Sequence, residues 1–233
     1  VVTHPSFYYV FTTIDVLNLP RFAAFCLSCD TFNNLTGKMQ LGKLRQIGAE
    51  YGILGGFSFM IKVIFVCHGN ICRSPMAEFI LKDLVARRGL TDRFEIASAA
   101  TSTEEIWNGI GNPIYPPAQT ELKKHGIGNT PETDFRDKRA RQLTKSDYEI
   151  YDYLIGMDES NIRGIERITG HRGGKIFMLL SFAGEQAAIS DPWYSGRFDK
   201  TYADVTRGCE AFLEYLIEQG CLLYTSDAAD DRI

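Results

Sequence analysis

Apolar and polar residues follow two alternating patterns between residues 61 and 219. Short apolar, largely β-branched runs are typical of buried strands, and they alternate with longer segments whose apolar residues recur at the period of a helix. This alternation predicts an α/β fold with three layers, α/β/α, around a central four-stranded parallel sheet. The predicted strands are 61–66, 94–98, 152–157 and 175–180, and the predicted helices are 75–88, 116–125, 159–168 and 201–219.

The first strand leads through a short loop into the first helix, and this junction has the features of an anion-binding site. Ser74 and Pro75 are typical of the N-cap and first position of a helix, and Gly89 is placed to end it. Gly69 and Asn70 tolerate positive φ, which lets successive N–H groups converge on one point. Because the helix dipole also favours an anion, we expect a phosphate loop here, at the carboxyl edge of the sheet.

The two ends of this loop carry reactive groups. Cys67 and Arg73 form a Cys-x5-Arg pair, in which the helix N-terminus, the arginine and the hydroxyl of Ser74 would stabilise a thiolate. A planar guanidinium holds two phosphate oxygens at once, which lysine does not reproduce. We therefore expect Cys67 to be a nucleophile and Arg73 to clamp the phosphate. The remaining predicted phosphate-binding residues are His68, Gly69, Asn70, Ile71, Cys72 and Ser74.

Residues 67–74 resemble the loop of the low-molecular-weight protein tyrosine phosphatases, which has the form Cys-x-Gly-Asn-x-Cys-Arg-Ser. The similarity spans about residues 60–219 and continues, in the family's order, at residues 98–102, 124–127, 139–143, 157–161 and 191–194. The resemblance implies the strand order 2-1-3-4 and a general acid at Asp191, just before Pro192. Protonating a phenolate leaving group would accelerate the reaction roughly 10²–10⁴-fold. A plain Asp-Pro turn is the alternative.

Aromatic residues near these positions predict a deep pocket that suits phosphotyrosine. Trp193 and Tyr194, beside the predicted acid, are expected to form one wall, and Trp107 or Ile106 another. Aromatic side chains in loops also fill the edge of a core, and this alternative stays open. Ile71 resembles the residue found in the phosphotyrosine enzymes of the family, whereas its phosphoarginine phosphatases have threonine there.

Other positions are expected to support the loop or depart from the family pattern. Asn70 should hold the loop through its side chain, and Ser98 resembles a family residue that supports this asparagine. Cys72 is either a disulfide partner that masks the nucleophile under oxidation, as in similar proteins, or a small buried hydrophobe. The link at residues 128–138 is longer than in relatives, and Lys138 replaces a histidine, which puts the network of that histidine in question.

Composition and charge exclude other classes of function. The net charge is −4 with no basic stripe, which argues against nucleic acid as a partner. No run reaches the about 18 apolar residues of a membrane-spanning helix. No Cys and His residues have the spacing of a closed metal site, and the expected mechanism needs no cofactor. A reactive thiol beside a second cysteine indicates a reducing compartment, hence the cytoplasm. The expected partners are phosphotyrosine proteins and, as products or inhibitors, phosphate or other oxyanions.

Both ends of the chain are expected to lie outside the phosphatase-like domain, which we place at residues 60–220. Residues 1–59 show no sustained period and stop where Met60 reads as a start. They are interpreted as an N-terminal extension translated from upstream sequence, with a genuine accessory segment as the alternative. Residues 221–233 resemble the translation of a sequencing adapter and are left out of the fold.

Together these features predict a protein tyrosine phosphatase that works through a phosphocysteine intermediate. Two alternatives share the fold: a phosphoarginine phosphatase and an arsenate reductase. The second needs further cysteines, and after the loop only Cys209 and Cys221 are present. A non-catalytic phosphotyrosine-binding module is the alternative from another class, although such proteins usually lose the cysteine or the acid, and both are present here.

Overall fold

A parallel sheet forms the centre of the computed structural model, which describes residues 60–222. Within that range the strands are β1 (Ile61–Cys67), β2 (Phe94–Ala100), β3 (Ile106–Trp107), β4 (Ile110–Gly111), β5 (Tyr153–Gly156) and β6 (Ile176–Met178). The sheet has four parallel strands in the order β2-β1-β5-β6, and β3 and β4 form a separate antiparallel hairpin. The predicted fold class and the strand order implied by the resemblance are both confirmed.

Helices connect the strands of the sheet and include the four that the periodicity predicts. The helices in the described range are α1 (Arg73–Arg87), α2 (Pro116–Lys124), α3 (Asp147–Ile150), α4 (Glu159–Thr169), α5 (Pro192–Ser195) and α6 (Phe198–Glu218). Short 3-10 segments lie at Thr91–Arg93, Pro131–Thr133 and Leu179–Ala183. The hairpin, α3, α5 and the 3-10 segments are too short to produce a periodic signal, and the sequence does not predict them.

Four predicted boundaries are wrong by two or three residues, and one of them is the end of β2, at Ala100 instead of 98. Helix α1 begins at Arg73 with Cys72 as its N-cap, so Ser74 is not the cap. The hydroxyl of Ser74 instead lies beside the sulfur atom of Cys67. The last helix starts at Phe198, earlier than the predicted 201, and β6 ends at Met178 because the chain turns into a 3-10 helix there. Gly89, with φ 65°, does end α1 as predicted.

Alternate residues of β1 are buried in the two layers on either side of the sheet. Val63 and Phe65 belong to the cluster that includes the buried faces of α1 and α6. Ile64 and Val66 belong to a second cluster, which contains Ile165 of α4. A strand buried on both faces reads as a continuous apolar run, and this explains the sequence pattern of residues 61–66.

The long link at residues 128–138 is fastened to α1. Phe135 is buried and packs edge-on against Phe79, with 5.5 Å between the ring centroids. Thr133 is also buried, and its hydroxyl accepts the N–H of Gly128 at 3.0 Å. These contacts place Lys138, the last residue of the link, beside the sheet, where its Nζ donates to the carbonyl of Ser98 at 3.2 Å.

The two ends of the chain fall largely outside the described residues, and so do the predictions for residues 1–59 and 223–233. Of the predicted tail, Cys221 and Leu222 are described, and both are buried in the cluster that contains α6. Within residues 60–222 no helix combines the length and the apolar character that crossing a bilayer requires.

Replacing Gly164 by alanine tests the contact between α4 and the loop after β2. Alanine favours a helix by about 1 kcal/mol over glycine. A Cβ at Gly164 would, however, lie 2.6 Å from Cγ2 of Thr101. We expect Gly164→Ala to lower the free energy of unfolding in urea by about 1–3 kcal/mol, whereas the exposed control Arg163→Ala changes it by less than about 0.5 kcal/mol. A more stable Gly164→Ala protein would contradict this packing.

Candidate active site

Cys67 is the last residue of β1, and its side chain lies under the phosphate loop at the carboxyl edge of the sheet. It is 3% exposed. Its Sγ lies 3.0 Å from Oγ of Ser74 and accepts the backbone N–H of Asn70 at 3.3 Å. The sulfur therefore meets polar hydrogens at the N-terminus of the 15-residue helix α1, where a negative charge is favoured.

Asn70 holds the shape of the loop. Its φ is 59°, so the predicted left-handed conformation is present at this residue. Its side-chain Nδ2 donates to Oγ of Ser74 at 2.9 Å and to Oγ of Ser98 at 2.7 Å, and Oδ1 accepts the N–H of Arg141 at 3.2 Å. Gly69 does not have a positive φ, contrary to expectation. A Cβ there would lie 2.9 Å from Cγ of Glu105, so a larger residue at this position would require the Glu105 side chain to shift.

Arg73 is buried at the other end of the loop and is held by two carboxylates. Its Nη1 donates to Oδ2 of Asp158 at 2.5 Å and to the carbonyl of Ile189 at 3.2 Å, and Nη2 donates to Oδ2 of Asp191 at 2.6 Å. Burial disfavours the charged guanidinium, but the neighbouring Cys67, Asp158 and Asp191 outweigh it and raise the pKa of Arg73. The arginine therefore joins the loop to the segment that carries the predicted acid.

Asp191 lies beside Arg73, at the edge of the same loop. It is the N-cap of α5, and its Oδ1 accepts the N–H of Trp193 at 3.0 Å while Oδ2 faces Arg73. Its side chain is 26% exposed, so solvent and substrate both have access to it. The structure thus brings together the predicted nucleophile, clamp and acid from two distant parts of the sequence.

A cavity of about 540 Å³ opens beside these three residues. Of the predicted site residues, those that line it are Cys67, His68, Gly69, Ile71, Cys72, Arg73, Asp191, Trp193 and Tyr194. Asn70, Ser74 and Ser98 are buried behind the loop. Trp107, on the β3–β4 hairpin, is 69% exposed and is not among the lining residues.

The cavity wall next to the acid is aromatic. The ring of Trp193 packs against Tyr115, with 5.1 Å between the centroids, and the N–H of Tyr115 donates to the carbonyl of Ile71 at 2.9 Å. Tyr194 is 88% exposed at the mouth. On the far side, Nε2 of His68 lies 2.8 Å from Oε2 of Glu104. Tyr115 thereby links the phosphate loop to the predicted ring wall, a role that the sequence analysis missed.

Asp158 is a further residue of the site that the sequence analysis did not assign. It is the N-cap of α4 and accepts the N–H of Asn161 at 2.8 Å, while its other oxygen binds Arg73. An aspartate at the start of a predicted helix is a recognisable cap. Its contact with an arginine 85 residues earlier depends on the pairing of β1 with β5, and no local signal predicts it.

An ion pair between the buried Glu78 and the partly buried Lys138 lies behind the loop, at the position where the sequence departs from the family pattern. Oε2 of Glu78 lies 2.7 Å from Nζ of Lys138 and accepts the hydroxyl of Ser98 at 2.6 Å, and Oε1 lies 2.6 Å from Nζ of Lys82. Burial acts to raise the pKa of Glu78, but the two lysines outweigh it and lower it. Burial lowers the pKa of Lys138, and Glu78 offsets part of this effect.

The described cysteines are all free thiols in this structure. Cys72 is buried beside the cavity, and burial, together with the nearby Cys67, raises the pKa of its thiol. Cys209 in α6 is fully buried, and Cys221 is buried after the end of that helix. Neither Cys209 nor Cys221 lines the cavity.

Comparison with known proteins agrees with this geometry. The sequence model of the family "Low molecular weight phosphotyrosine protein phosphatase" matches residues 62–221. A chicken protein of that name is 41% identical over 158 residues, which cover 65% of this chain and 93% of the relative. The Bacillus subtilis low molecular weight protein-tyrosine-phosphatase YfkJ is 38% identical over 157 residues, which cover 66% and 94%.

Solved structures give the same result. The crystal structure of YfkJ superposes with a TM-score of 0.61 at 35% identity, covering 69% of this chain and 96% of that protein. The low molecular weight protein tyrosine phosphatase SP-PTP of Streptococcus pyogenes superposes with a TM-score of 0.56 at 39% identity, covering 67% and 93%. This chain therefore belongs to the low molecular weight phosphotyrosine protein phosphatase family.

Proposed function

We propose that this protein hydrolyses phosphotyrosine in proteins, with Cys67 as nucleophile, Arg73 as phosphate clamp and Asp191 as general acid and base. The observation that carries the proposal is the convergence of these three groups on one cavity. Cys67 and Arg73 close the two ends of one loop, and Arg73 touches Asp191 directly. This arrangement suits in-line displacement at phosphorus.

In the first step the Cys67 thiolate attacks phosphorus, and the bond from phosphorus to the tyrosine oxygen breaks. The loop N–H groups and Arg73 stabilise the charge on the three equatorial oxygens. To bind them, the guanidinium exchanges its contacts with Asp158 and Asp191 for contacts with the phosphoryl group. Asp191, in its protonated form, gives its proton to the leaving phenolate, and Ser74 donates a hydrogen bond to the sulfur.

In the second step water releases phosphate from the phosphocysteine. Asp191, now ionised, takes a proton from the water as its oxygen attacks phosphorus, and the sulfur leaves as a thiolate. The leaving thiolate again meets Ser74 and the N–H of Asn70, which favour its negative charge. Phosphate, the product, and other tetrahedral oxyanions bind the same loop and inhibit.

The cavity accounts for a preference for phosphotyrosine. Its phosphate-binding end lies beside the buried Cys67, whereas Trp193 and Tyr194 lie nearer the exposed rim. An aromatic ring is long enough to join the two levels, and a serine side chain is not. Trp193 and Tyr194 are assigned to the ring wall, with Tyr115 supporting Trp193 from behind. Trp107 is left out of the wall because it lies on the exposed hairpin.

Two secondary assignments accompany this function. Cys72 is proposed as a redox partner of the nucleophile in the same loop, and the cytoplasm as the compartment that keeps both reduced. The arsenate reductase alternative is disfavoured because it needs accessible resolving thiols, and Cys209 and Cys221 are both buried away from the cavity.

Replacing Cys67 by serine tests the nucleophile. We expect Cys67→Ser to reduce p-nitrophenyl phosphate turnover to background, because an unactivated hydroxyl is a weak nucleophile. Binding of inorganic phosphate, measured by calorimetry, should persist because Arg73 and the loop remain. The control Cys209→Ala, far from the cavity, should keep wild-type turnover. Turnover that survives in Cys67→Ser would refute the nucleophile assignment.

Replacing Asp191 by alanine tests the acid. A poor leaving group needs protonation more than a good one does, so turnover of phenyl phosphate should fall by roughly 10²–10⁴-fold and that of p-nitrophenyl phosphate by much less. The control Asp158→Asn removes the other carboxylate from Arg73 and should slow both substrates by a similar factor. An equal loss for both substrates in Asp191→Ala would argue against proton donation.

A panel of peptides tests the substrate class. The same peptide carrying phosphotyrosine, phosphoserine or phosphoarginine should differ in kcat/KM, with phosphotyrosine ahead by at least about 100-fold. The kcat/KM values are measured with the full chain, of which residues 60–222 contain every group of the proposed site. A higher kcat/KM for phosphoarginine would replace the proposed substrate while keeping the phosphocysteine mechanism.

A further inference from the structure

Tyr115 lies at the junction between the phosphate loop and helix α2. It is the N-cap of that helix, with φ −59° and ψ 132°, and Pro116 and Pro117 follow it. A proline restricts the residue before it to an extended conformation, so the backbone of Tyr115 has little freedom. Its N–H donates to the carbonyl of Ile71 at 2.9 Å. The backbone of Tyr115 is therefore fixed to the phosphate loop.

The ring of Tyr115 contacts two aromatic side chains of the segment that follows the predicted acid. It packs against Trp193, with 5.1 Å between the centroids and 52° between the planes, and its centroid lies 6.0 Å from that of Phe198. Phe198 is buried at the start of α6, and Tyr115 itself packs against the core. Among the described residues, Tyr115 is the one ring that packs against Trp193. The Trp193 indole thus rests on a ring that the core supports.

Trp193 is in turn joined to the predicted acid, because its backbone N–H donates to Oδ1 of Asp191 at 3.0 Å. Asp191 caps α5, and a helix of four residues has too few internal hydrogen bonds to hold its own shape. The position of this turn therefore depends on contacts made by its side chains. They include the burial of Pro192, the contact of Asp191 with Arg73, and the contact of Trp193 with Tyr115.

Substrate binding removes one of these contacts in the proposed mechanism. The guanidinium of Arg73 exchanges Asp191 for the phosphoryl group, so it no longer holds the carboxylate. The contact between Trp193 and Tyr115 lies outside that exchange, because it joins two rings and no charged group. It is therefore available to hold the turn that carries the acid while the phosphoryl group is bound.

We propose that Tyr115 is a positioning residue, which keeps Asp191 at a fixed distance from the phosphate loop after Arg73 has released it. Its backbone is attached to the loop at Ile71, and its ring is attached to the turn of the acid at Trp193. The inference rests on the proposed function of Asp191 as general acid. This role requires the ring of Tyr115 and not its hydroxyl.

The test removes the ring of Tyr115 and keeps its backbone N–H. In Tyr115→Leu, kcat/KM for phenyl phosphate should fall by about tenfold, the factor that corresponds to the loss of one aromatic pair, because this poor leaving group needs the acid. For p-nitrophenyl phosphate, kcat/KM should stay within about twofold of wild type. The Kd of inorganic phosphate, measured by calorimetry, should also stay within about twofold, because Arg73 and the loop remain.

Two further variants separate positioning from a general loss of packing. The conservative variant Tyr115→Phe keeps the ring and should retain the wild-type dependence on the leaving group. Tyr202→Leu removes another half-buried tyrosine ring, which stacks on His125 at 3.7 Å and does not line the cavity. It should leave that dependence unchanged even if it lowers stability. An equal loss for both substrates in Tyr115→Leu, or the same selective loss in Tyr202→Leu, would overturn the proposal.

Tryptophan fluorescence tests the ring contact without turnover. The sequence has two tryptophans, Trp107 and Trp193, so Trp107→Phe leaves Trp193 as the one reporter. In that background Tyr115→Leu should shift the emission of Trp193 to longer wavelength and increase its quenching by acrylamide, whereas Tyr115→Phe should not. Equal quenching in all three proteins would contradict the proposed support of Trp193. If urea denaturation shows Tyr115→Leu to be unfolded, Tyr115→Met takes its place under the same criteria.

The outcomes also separate this inference from the proposed function. A wild-type protein that hydrolyses no aryl phosphate would refute the function, and the inference with it. If Asp191→Ala loses phenyl phosphate turnover selectively while Tyr115→Leu behaves like wild type, the acid is supported and the positioning role of Tyr115 alone is refuted.

Discussion

The site depends on the hydrogen bonds of the Asn70 side-chain amide. Asn70 is the one residue of the loop with a positive φ, a conformation that costs free energy for a residue with a Cβ. Its hydrogen bonds offset that cost and join three segments: the start of α1 through Ser74, β2 through Ser98, and the chain at Arg141. Each partner is buried or a backbone group, so the loop is held from the side opposite the cavity.

Arg73 has the complementary role at the front of the site. Its guanidinium reaches the starts of α4 and α5 through Asp158 and Asp191, so one side chain aligns two loops from the carboxyl edge of the sheet. Two carboxylates around one arginine also mean that substrate phosphate must compete for it. In the proposed mechanism, binding of the substrate phosphate to Arg73 would release Asp191 for its role as the acid.

The two halves of the site are stabilised in different ways. Behind the loop, the buried Glu78 is paired with Lys82 and with the partly buried Lys138, so its charge is compensated there. In front, the cavity is open to solvent, with Tyr194 and Trp193 largely exposed at its mouth. The sulfur of Cys67 thus lies on the buried side of the loop, and the carboxylate of Asp191 lies on its open side.

The sequence by itself determined the layered parallel fold and the chemistry of residues 67–74, because both depend on neighbours close in the chain. Strand and helix periods are local, and so is the spacing of Cys67 and Arg73. The tertiary structure decided which distant groups complete the site. Pairing of β1 with β2 and β5 brings Ser98 and Asp158 to the loop. Ser74 lies inside α1 and contacts the sulfur of Cys67, instead of capping the helix as its residue type predicts. Contacts between residues far apart in the chain produce no periodic or local pattern in the sequence, so the sequence does not predict them.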